Sequence, residues 1–499
     1  MSAFVRVPRG RTCGARWATD LDPWVRACGP GEHRRHSAAP GRPRPPPLTL
    51  SPPHVKTLLS AVRRVVWLVA CLAAPFAWAQ PNTHWVATWA ASPQFEDWPV
   101  VVPEPGSFRN QTIRQVFRVS LGGDRLRIRF TNEYGDKPLP VSAASVALRN
   151  TGANVVEGTL RPVTVGGARS FSIPAGAVLD SDPVDFLLPA LSDLVVSFHI
   201  PVNWYELSAN ASTFHHLASQ TTYILRGDQV MVASPSVEST STSWFFVSGV
   251  SVQASLRSSA IVAVGDSITD GQGSSVDANQ RWPNALSERL LSSSPHRHLS
   301  VVNAGIAGNR VLTFFVGPDT LTRFHRDVLS VPGVRYVILL QGINDIGIPS
   351  WLPGIAFQHK SADQIIAGHR RLIAEARARG LRIFGATLTP FAATCLPTVP
   401  LFPCSSAYYS EEGERKRQAI NAWIRGSGEF DGVIDFDLVL RDPLQPTFLK
   451  REFDSGDGLH PSDAGYRAMA ATIDLTLFPA FGAEAVVPSG SQPGLPALD

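Results

Sequence analysis

From residue 258 onward, short continuous apolar runs alternate with helix-period segments, and that alternation restricts the fold more than any other feature of the chain. The runs fall at 260–264, 299–304, 334–340, 381–388 and 433–436. Each is apolar along its length rather than at every second position, as strands are when both faces of their sheet are covered. Helical segments separate them, near 283–291, over 319–330, from 361 onward and over 411–425. Ser361, Ala362, Asp363 and Gln364 form a capping box. The helix it opens carries Ile365, Ile366, Leu372, Ile373 and Ala376 on one face and stops at Gly380. The segment 411–425 is expected to turn Ala419, Ile420, Trp423 and Ile424 inward, and Ser462 caps a last helix reaching about residue 478. The pattern predicts an α/β domain over 258–482, a parallel sheet between two helical layers, with ligands bound beyond the carboxyl ends of its strands.

The preceding stretch, 84–255, reads differently. Ile113, Gln115, Phe117 and Val119 alternate with Arg114, Val116 and Arg118. Leu126, Ile128 and Phe130 alternate with Arg125, Arg127 and Arg129, which predicts a half-buried strand with one basic face. Gly122, Gly123 and Asp124 between the two runs read as a hairpin turn. Short-strand rhythm continues through Val195, Ser197, His199 and 243–248. An all-β sandwich domain is expected here. At 499 residues, 44% hydrophobic and 17% charged, the chain is long and apolar enough for two such cores.

The net charge of +4 misleads about partners. Residues 1–79 hold 12 of the 45 Lys and Arg but only 3 of the 41 acids, so the remainder is mildly acidic, at −5. Such a body has no electrostatic footprint for nucleic acid or for an anionic membrane. Within the basic leader, Lys56, Arg63 and Arg64 precede a short apolar run at 65–74, and Ala77, Trp78 and Ala79 form a small-residue cleavage site. Residues 55–79 therefore read as a secretory signal peptide, cleaved after Ala79, too short in its apolar part to span a bilayer. A rival reading is a lipoprotein box, 68–71, that would place a lipid on Cys71. Residues 1–54 are read either as a disordered extension or as untranslated, with synthesis starting at Val55, and 483–499 as a loose tail.

Five cysteines exclude a disulfide scaffold and argue against a structural zinc module. Export favours oxidation, and Cys395 and Cys404, which remain after cleavage, bracket a proline-rich loop that a disulfide is expected to close. Two free thiols are the alternative.

Four segments carry possible chemistry. GDSIT at 265–269 follows the first strand and sets Ser267 on a strand-to-helix turn. NAGIAGN at 303–309 follows the second, and its glycines allow backbone N–H groups to approach a ligand closely. GIND at 342–345 follows the third, with an amide at Asn344. DGLHP at 457–461 sets Asp457 and His460 three apart, so that the carboxylate can orient the imidazole. Each alone is also an ordinary cap, turn or loop. Together, in this order and after successive strands, they form a constellation. His215, His216, His296 and His298 are read as surface or turn residues rather than ligands. Phe314, Phe315, Trp351 and Phe357 follow the second and third segments and are candidates either for an acyl or aryl pocket or for plain packing.

On these four segments, residues 258–482 resemble the SGNH hydrolase superfamily, the GDSL esterases and lipases, whose name letters match Ser267, Gly308, Asn344 and His460 here, with Asp457 three residues before the histidine. Ile268 stands where the family name has leucine. The β-region resembles an addition found in a subgroup of secreted bacterial esterases. The resemblance implies a flavodoxin-like three-layer domain and a serine esterase. Ser267 would be the nucleophile, His460 the general base and Asp457 its orienter, with the N–H groups of Ser267 and Gly308 and the Asn344 amide as oxyanion hole. No cofactor or metal is expected, and no HExxH, P-loop or GxSxG elbow is present in the sequence. Carboxylic esters with short acyl groups are the leading substrates, small-molecule or polysaccharide-linked. Polysaccharide O-deacetylation, acyl transfer to an alcohol and a glycan-binding role without catalysis are the alternatives. Neither a stable membrane anchor nor a nucleic-acid partner is expected, and the sequence leaves the oligomeric state open.

Overall fold

The computed structural model describes residues 83–95, 108–204, 212–392, 394 and 406–479. The extension 1–54, the leader 55–79 with Cys71, both Cys395 and Cys404, and the tail 483–499 lie outside the described residues.

Five parallel strands form the sheet of the C-terminal half: β1 (Ser259–Gly265), β2 (Leu299–Gly305), β3 (Val334–Leu340), β4 (Arg382–Ala386) and β5 (Val433–Ile434). Their order is β2-β1-β3-β4-β5. This is the flavodoxin-like order, and its topological switch lies between β1 and β3. β1 is buried at every residue because strands flank both its edges and other elements cover both its faces, which explains its uninterrupted apolar run. The helices are α1 (Ser267–Asp270), α2 (Trp282–Ser292), α3 (Thr320–Phe324), α4 (Ile343–Trp351), α5 (Ala362–Ala378), α6 (Glu411–Gly426), α7 (Phe436–Leu440) and α8 (Asp463–Thr472). None of the described helices is long and apolar enough to cross a membrane.

α5 forms as expected. The Ser361 hydroxyl accepts from the Gln364 N–H at 3.1 Å, the Gln364 side chain accepts from the Ser361 N–H at 2.9 Å, and the predicted five apolar residues are buried. Elsewhere the structure corrects the expectation. The sequence pattern marks no helix between β3 and residue 361, and α4 forms there with its helical period masked by Gly347 and Pro349. The segment 319–330 divides into α3 and a π turn, His325–Leu329. The strand expected at 433–436 ends after two residues, and Phe436 starts α7. α8 stops at Thr472 and is followed by a 3-10 turn, Leu475–Leu477. On α6, Ala419 is exposed and Trp423 half-buried; the buried face carries Glu414, Arg417 and Asn421 along with Ile420 and Ile424. Polar side chains take that face because each has partners there. Arg417 donates to Glu414, to Asp437 at 2.6 Å and to the Leu388 carbonyl at 2.8 Å, and Asn421 bonds both the N–H and the C=O of Leu388.

The N-terminal region is a sandwich of two antiparallel sheets. One runs Thr83–Ala90, Val247–Ser255, Gly123–Thr131 and Val178–Asp180, with Val184–Leu188 also on Gly123–Thr131. The other runs Ser239–Ser241, Thr222–Arg226, Arg109–Arg118, Asp193–Asn203, Ala143–Leu148 and Arg161–Val163. Ile113, Phe117, Val196 and Phe198 from the second meet Leu126, Ile128, Val250 and Val252 from the first in one core. Gly122 and Gly123 therefore do not close a hairpin; they carry the chain from one sheet to the other. Gly123–Thr131 alternates as expected, with Arg125 and Arg129 on Asp185 and Asp180 and Arg127 over the Trp85 ring. Arg109–Arg118 does not. It is buried on both faces, and Arg114 is wholly enclosed, donating to Ser197 Oγ and to the carbonyls of Ala153, Gln229 and Val232. The three carbonyls lie on loops folded over the sheet's second face, where Val116, Val195, Tyr223 and Leu225 make a small core of their own.

The two regions belong to one compact unit. Ala87 of the first β-strand packs in the core of the α/β region, its N–H donates to the Pro332 carbonyl at 2.9 Å, and its carbonyl accepts from Ser300 Oγ at 2.6 Å. Ser120 Oγ accepts from the Val301 N–H on β2 at 3.1 Å.

Candidate active site

β1 ends at Gly265, and Asp266 caps the four-residue α1, accepting the Ile268 N–H at 3.1 Å. Ser267 is thereby held as the first helical residue, while Ile268 turns into the core. At the end of β2, Gly305 lies so close to α1 that a Cβ there would come within 2.3 Å of the Asp270 nitrogen. Gly308 has φ of +76°, a left-handed conformation that glycine adopts without strain. β3 leads through Gly342 into α4, whose second residue is Asn344. These three turns surround the sheet's topological switch.

The fourth segment reaches the first through side chains. His460 Nε2 lies 2.9 Å from Ser267 Oγ, and His460 Nδ1 lies 2.6 Å from Asp457 Oδ2. Asp457 Oδ1 accepts the N–H groups of Leu459 and His460 at 2.9 and 2.8 Å, so the turn that carries the carboxylate also clamps it. Burial pushes the Asp457 carboxyl up, but the His460 hydrogen bond and charge outweigh it and hold the group below its ordinary range. Ser267 and His460 are both buried. The Asp463 carboxylate, on the first turn of α8, accepts from the Ser275 N–H and hydroxyl at 2.9 and 2.7 Å and ties the fourth segment to the chain after α1.

The other blocks are bonded to one another just as directly. Asn303 Nδ2 donates to the Thr269 carbonyl at 2.7 Å, and Asp270 Oδ2 accepts the Ala307 N–H at 3.1 Å, joining first and second. Asn344 Nδ2 donates to the Asn309 carbonyl at 3.0 Å, and Asp345 accepts the N–H groups of Val311 and Leu312 at 2.8 and 3.2 Å, joining second and third. Asn309 Oδ1 accepts from Arg323, Gln341 and Thr320, which pins the turn after Gly308. Arg323 also donates to the carbonyls of Gly265 and Ala304 at the ends of β1 and β2. Burial raises the Asp266 carboxyl to about 7 and the Asp345 carboxyl to about 6.

All the residues singled out around Ser267 are thus linked: Ser267, His460 and Asp457 in one chain of contacts, Asn344 through the residue following Gly308. Cys395 and Cys404 lie outside the described residues. Several contributors had no sequence signal of function, among them Arg323, Asp270 and Tyr408, whose hydroxyl donates to the Asn344 side-chain oxygen. His215 was read as a surface or turn residue and is instead buried, because Asp270 and the Ser92 carbonyl receive its two ring nitrogens. His216 is half-buried beside it, while His296 and His298 are half-buried in a turn. Of the aromatic candidates, Phe315 is packed in the core, Phe314 is 47% exposed and stacks on Phe95 at 5.3 Å, Trp351 is half-buried and Phe357 is 81% exposed.

Residues 263–468 match the sequence model of the GDSL-like lipase/acylhydrolase family. Among solved structures, the chain is similar to a putative lipolytic protein of the G-D-S-L family from Desulfitobacterium hafniense, at 19% identity over 43% of this chain and 97% of that one, with a TM-score of 0.31. It is similar to a GDSL-like lipase from Bacteroides thetaiotaomicron, at 18% identity over 44% and 87%, TM-score 0.31. It is also similar to an acetyl xylan esterase from Geobacillus stearothermophilus, at 21% identity over 44% and 94%, TM-score 0.34. No curated protein matches the chain.

Proposed function

We propose, from the match of residues 263–468 to the GDSL-like lipase/acylhydrolase family, that the protein is a carboxylic ester hydrolase that works through an acyl-enzyme on Ser267. The observation that carries the reading is the unbroken series Asp457 Oδ2, His460 Nδ1, His460 Nε2, Ser267 Oγ, with contacts of 2.6 and 2.9 Å. Ser267 Oγ attacks the ester carbonyl as His460 Nε2 takes its proton. The Asp457 carboxylate keeps the proton of His460 on Nδ1 and stabilises the imidazolium that forms. The carbonyl oxygen becomes an oxyanion, held by the N–H groups of Ser267 and Gly308 and by the second N–H of the Asn344 amide. His460 returns the proton to the departing alkoxide, and the C–O bond to the alcohol breaks. Water then attacks the acyl-enzyme with His460 again as base, releasing the acid and restoring Ser267. Each oxyanion donor is worth about 10²–10³ in kcat. The enclosure of Ser267 and His460 favours a small acyl group.

The test is hydrolysis of p-nitrophenyl esters from acetate to palmitate by the wild type and Ser267→Ala. Turnover that is greatest on acetate and abolished in the variant is the expected result. Turnover retained in Ser267→Ala overturns the nucleophile, and a palmitate optimum overturns the short-acyl assignment.

The leader and the two remaining cysteines support a second proposal, that the protein is exported, cleaved after Ala79 and closed by a disulfide between Cys395 and Cys404. Amino-terminal sequencing of the exported protein and thiol titration without reductant test it. A start other than Gln80, or two free thiols, contradicts the corresponding part.

A further inference from the structure

We infer that His215, a residue of the β-sandwich, is a positioning residue for the esterase site, and that through Asp270 it holds the nucleophile turn and the oxyanion loop in register. The inference rests on the reading of Ser267 as nucleophile and of Gly308 as oxyanion donor.

His215 closes a two-residue strand, Phe214–His215, paired with Trp244–Phe245. Its ring is buried beside the Trp244 ring, 5.6 Å between centroids, and reaches across to the α/β region. Nε2 lies 2.9 Å from Asp270 Oδ1, and Nδ1 lies 2.9 Å from the Ser92 carbonyl. A carbonyl only accepts, and so does a carboxylate. Both ring nitrogens must therefore carry hydrogen, and His215 with Asp270 is an imidazolium–carboxylate pair.

Asp270 is where that pair meets the chemistry. It is the last residue of α1, three after Ser267, and its other oxygen accepts the N–H of Ala307, which immediately precedes Gly308. One carboxylate thus bonds the sandwich with one oxygen and the oxyanion loop with the other, while its own backbone belongs to the nucleophile turn. Gly305, which has no Cβ to hold it off, brings β2 against the same backbone. Ser92 extends the link: its hydroxyl bonds Arg323 at 3.1 Å, and Arg323 holds Asn309 and the ends of β1 and β2. A free α/β region would lack His215 and leave one Asp270 oxygen buried and unpaired, at a cost in alignment that appears in the transition state rather than in substrate binding.

The groups facing the His215 ring are Asp270 from α1, Arg281 at the start of α2, Trp244 from the paired strand and the adjacent His216, which burial and the neighbouring His215 lower to about 4. Burial acts against a charged His215, and Asp270 more than offsets it, so the ring is held above the ordinary histidine range.

Two substitutions in the full-length protein separate this role from simple packing. Gln at 215 places its Nε2 near the position of the histidine Nε2 and keeps the Asp270 bond. Asn places its Nδ2 near the histidine Nδ1 and keeps only the Ser92 bond. We expect His215→Asn to lower kcat on p-nitrophenyl acetate tenfold or more per active site titrated from the acylation burst, with KM changed less than twofold. His215→Gln should retain at least a third of wild-type kcat. Amide exchange in peptides covering 267–272 and 305–310 should quicken in His215→Asn and not in His215→Gln. Should His215→Asn fail to fold, Asp270→Asn, which cannot accept from both His215 and Ala307, carries the same expectation. Equal kcat in the two His215 variants, or exchange unchanged in His215→Asn and Asp270→Asn, overturns the inference. Because exchange is read without turnover, a failure of the esterase reading, shown by activity persisting in Ser267→Ala, remains distinguishable.

Discussion

The side-chain oxygen of Asn344 accepts the Tyr408 hydroxyl at 2.8 Å, and this fixes which way the amide faces. With the oxygen so engaged, Nδ2 is turned to the Asn309 carbonyl, and one N–H is left for a ligand. Tyr408 is fully buried; burial and the nearby Asp266, Asp345 and Asp457 carboxylates raise its hydroxyl well above the ordinary phenol range, so it stays a donor at any assay pH. Tyr408→Phe removes that donor without changing the ring. We expect kcat on p-nitrophenyl acetate to fall about five- to thirtyfold, the equivalent of about 1–2 kcal/mol, with KM little changed. An unchanged kcat would show that packing alone orients Asn344.

Asp457 offers a sharper case. Its two oxygens receive three N–H groups, two from the backbone and one from the His460 ring. Asp457→Asn can preserve the backbone bonds through its remaining oxygen. Its NH₂ group then faces Nδ1 and drives the ring hydrogen to Nε2, where it meets Ser267 and cannot accept a proton. Steady-state kinetics should show a loss of about 10³–10⁴ in kcat, while the thermal midpoint stays close to that of the wild type. A loss under tenfold would mean that His460 does not depend on Asp457 for its tautomer.

The Asp266 carboxyl makes a prediction about stability rather than rate. Burial raises it to about 7, against about 3.9 in an unfolded chain. Between those values the folded protein holds a proton that the unfolded chain has released. Stability therefore falls as pH rises from about 4 to about 7, by up to ~1.4 kcal/mol per pH unit for one group. Asp266→Asn keeps an acceptor for the Ile268 N–H and carries no charge. Urea unfolding between pH 4.5 and 8 should show a shallower decline in the variant and a higher midpoint at pH 8. Asp345, raised to about 6, contributes with the same sign and leaves a residual slope below that pH. Identical slopes in variant and wild type would exclude Asp266 as a source of the decline.

The parts of this molecule that were legible in the sequence are those in which one residue type has one physical use. β1 to β4 announce themselves because a strand covered on both faces must be apolar throughout, and α5 because its cap and its apolar stripe agree. The four site segments were legible because turns after parallel strands converge on one crevice. What was hidden depends on partners distant in the chain. Arg114 looks like a solvent-facing residue until the carbonyls of Ala153, Gln229 and Val232 close over it. Two glycines looked like a hairpin because the sequence cannot say that the strands on either side join different sheets. His215 looked like a turn histidine because its meaning lies in Asp270, 55 residues later.

α6 shows the same limit and yields the last prediction. Arg417 is wholly buried on a face that periodicity assigned to apolar residues, and it stays charged because Asp437, also wholly buried, receives it at 2.6 Å. Asp437 serves Arg425 and Arg441 as well, but those two side chains are about one-third exposed and can turn to water. Arg417 cannot. Asp437→Ala leaves Glu414 as its remaining carboxylate partner, and unfolding measurements should show a loss of about 3–5 kcal/mol. Adding Arg417→Met removes the stranded charge, so the double variant should be more stable than Asp437→Ala alone. If Asp437→Ala costs under 1 kcal/mol, or the second substitution lowers stability further, Glu414 and the Leu388 carbonyl suffice for Arg417 and the buried pair is not what holds α6 in place.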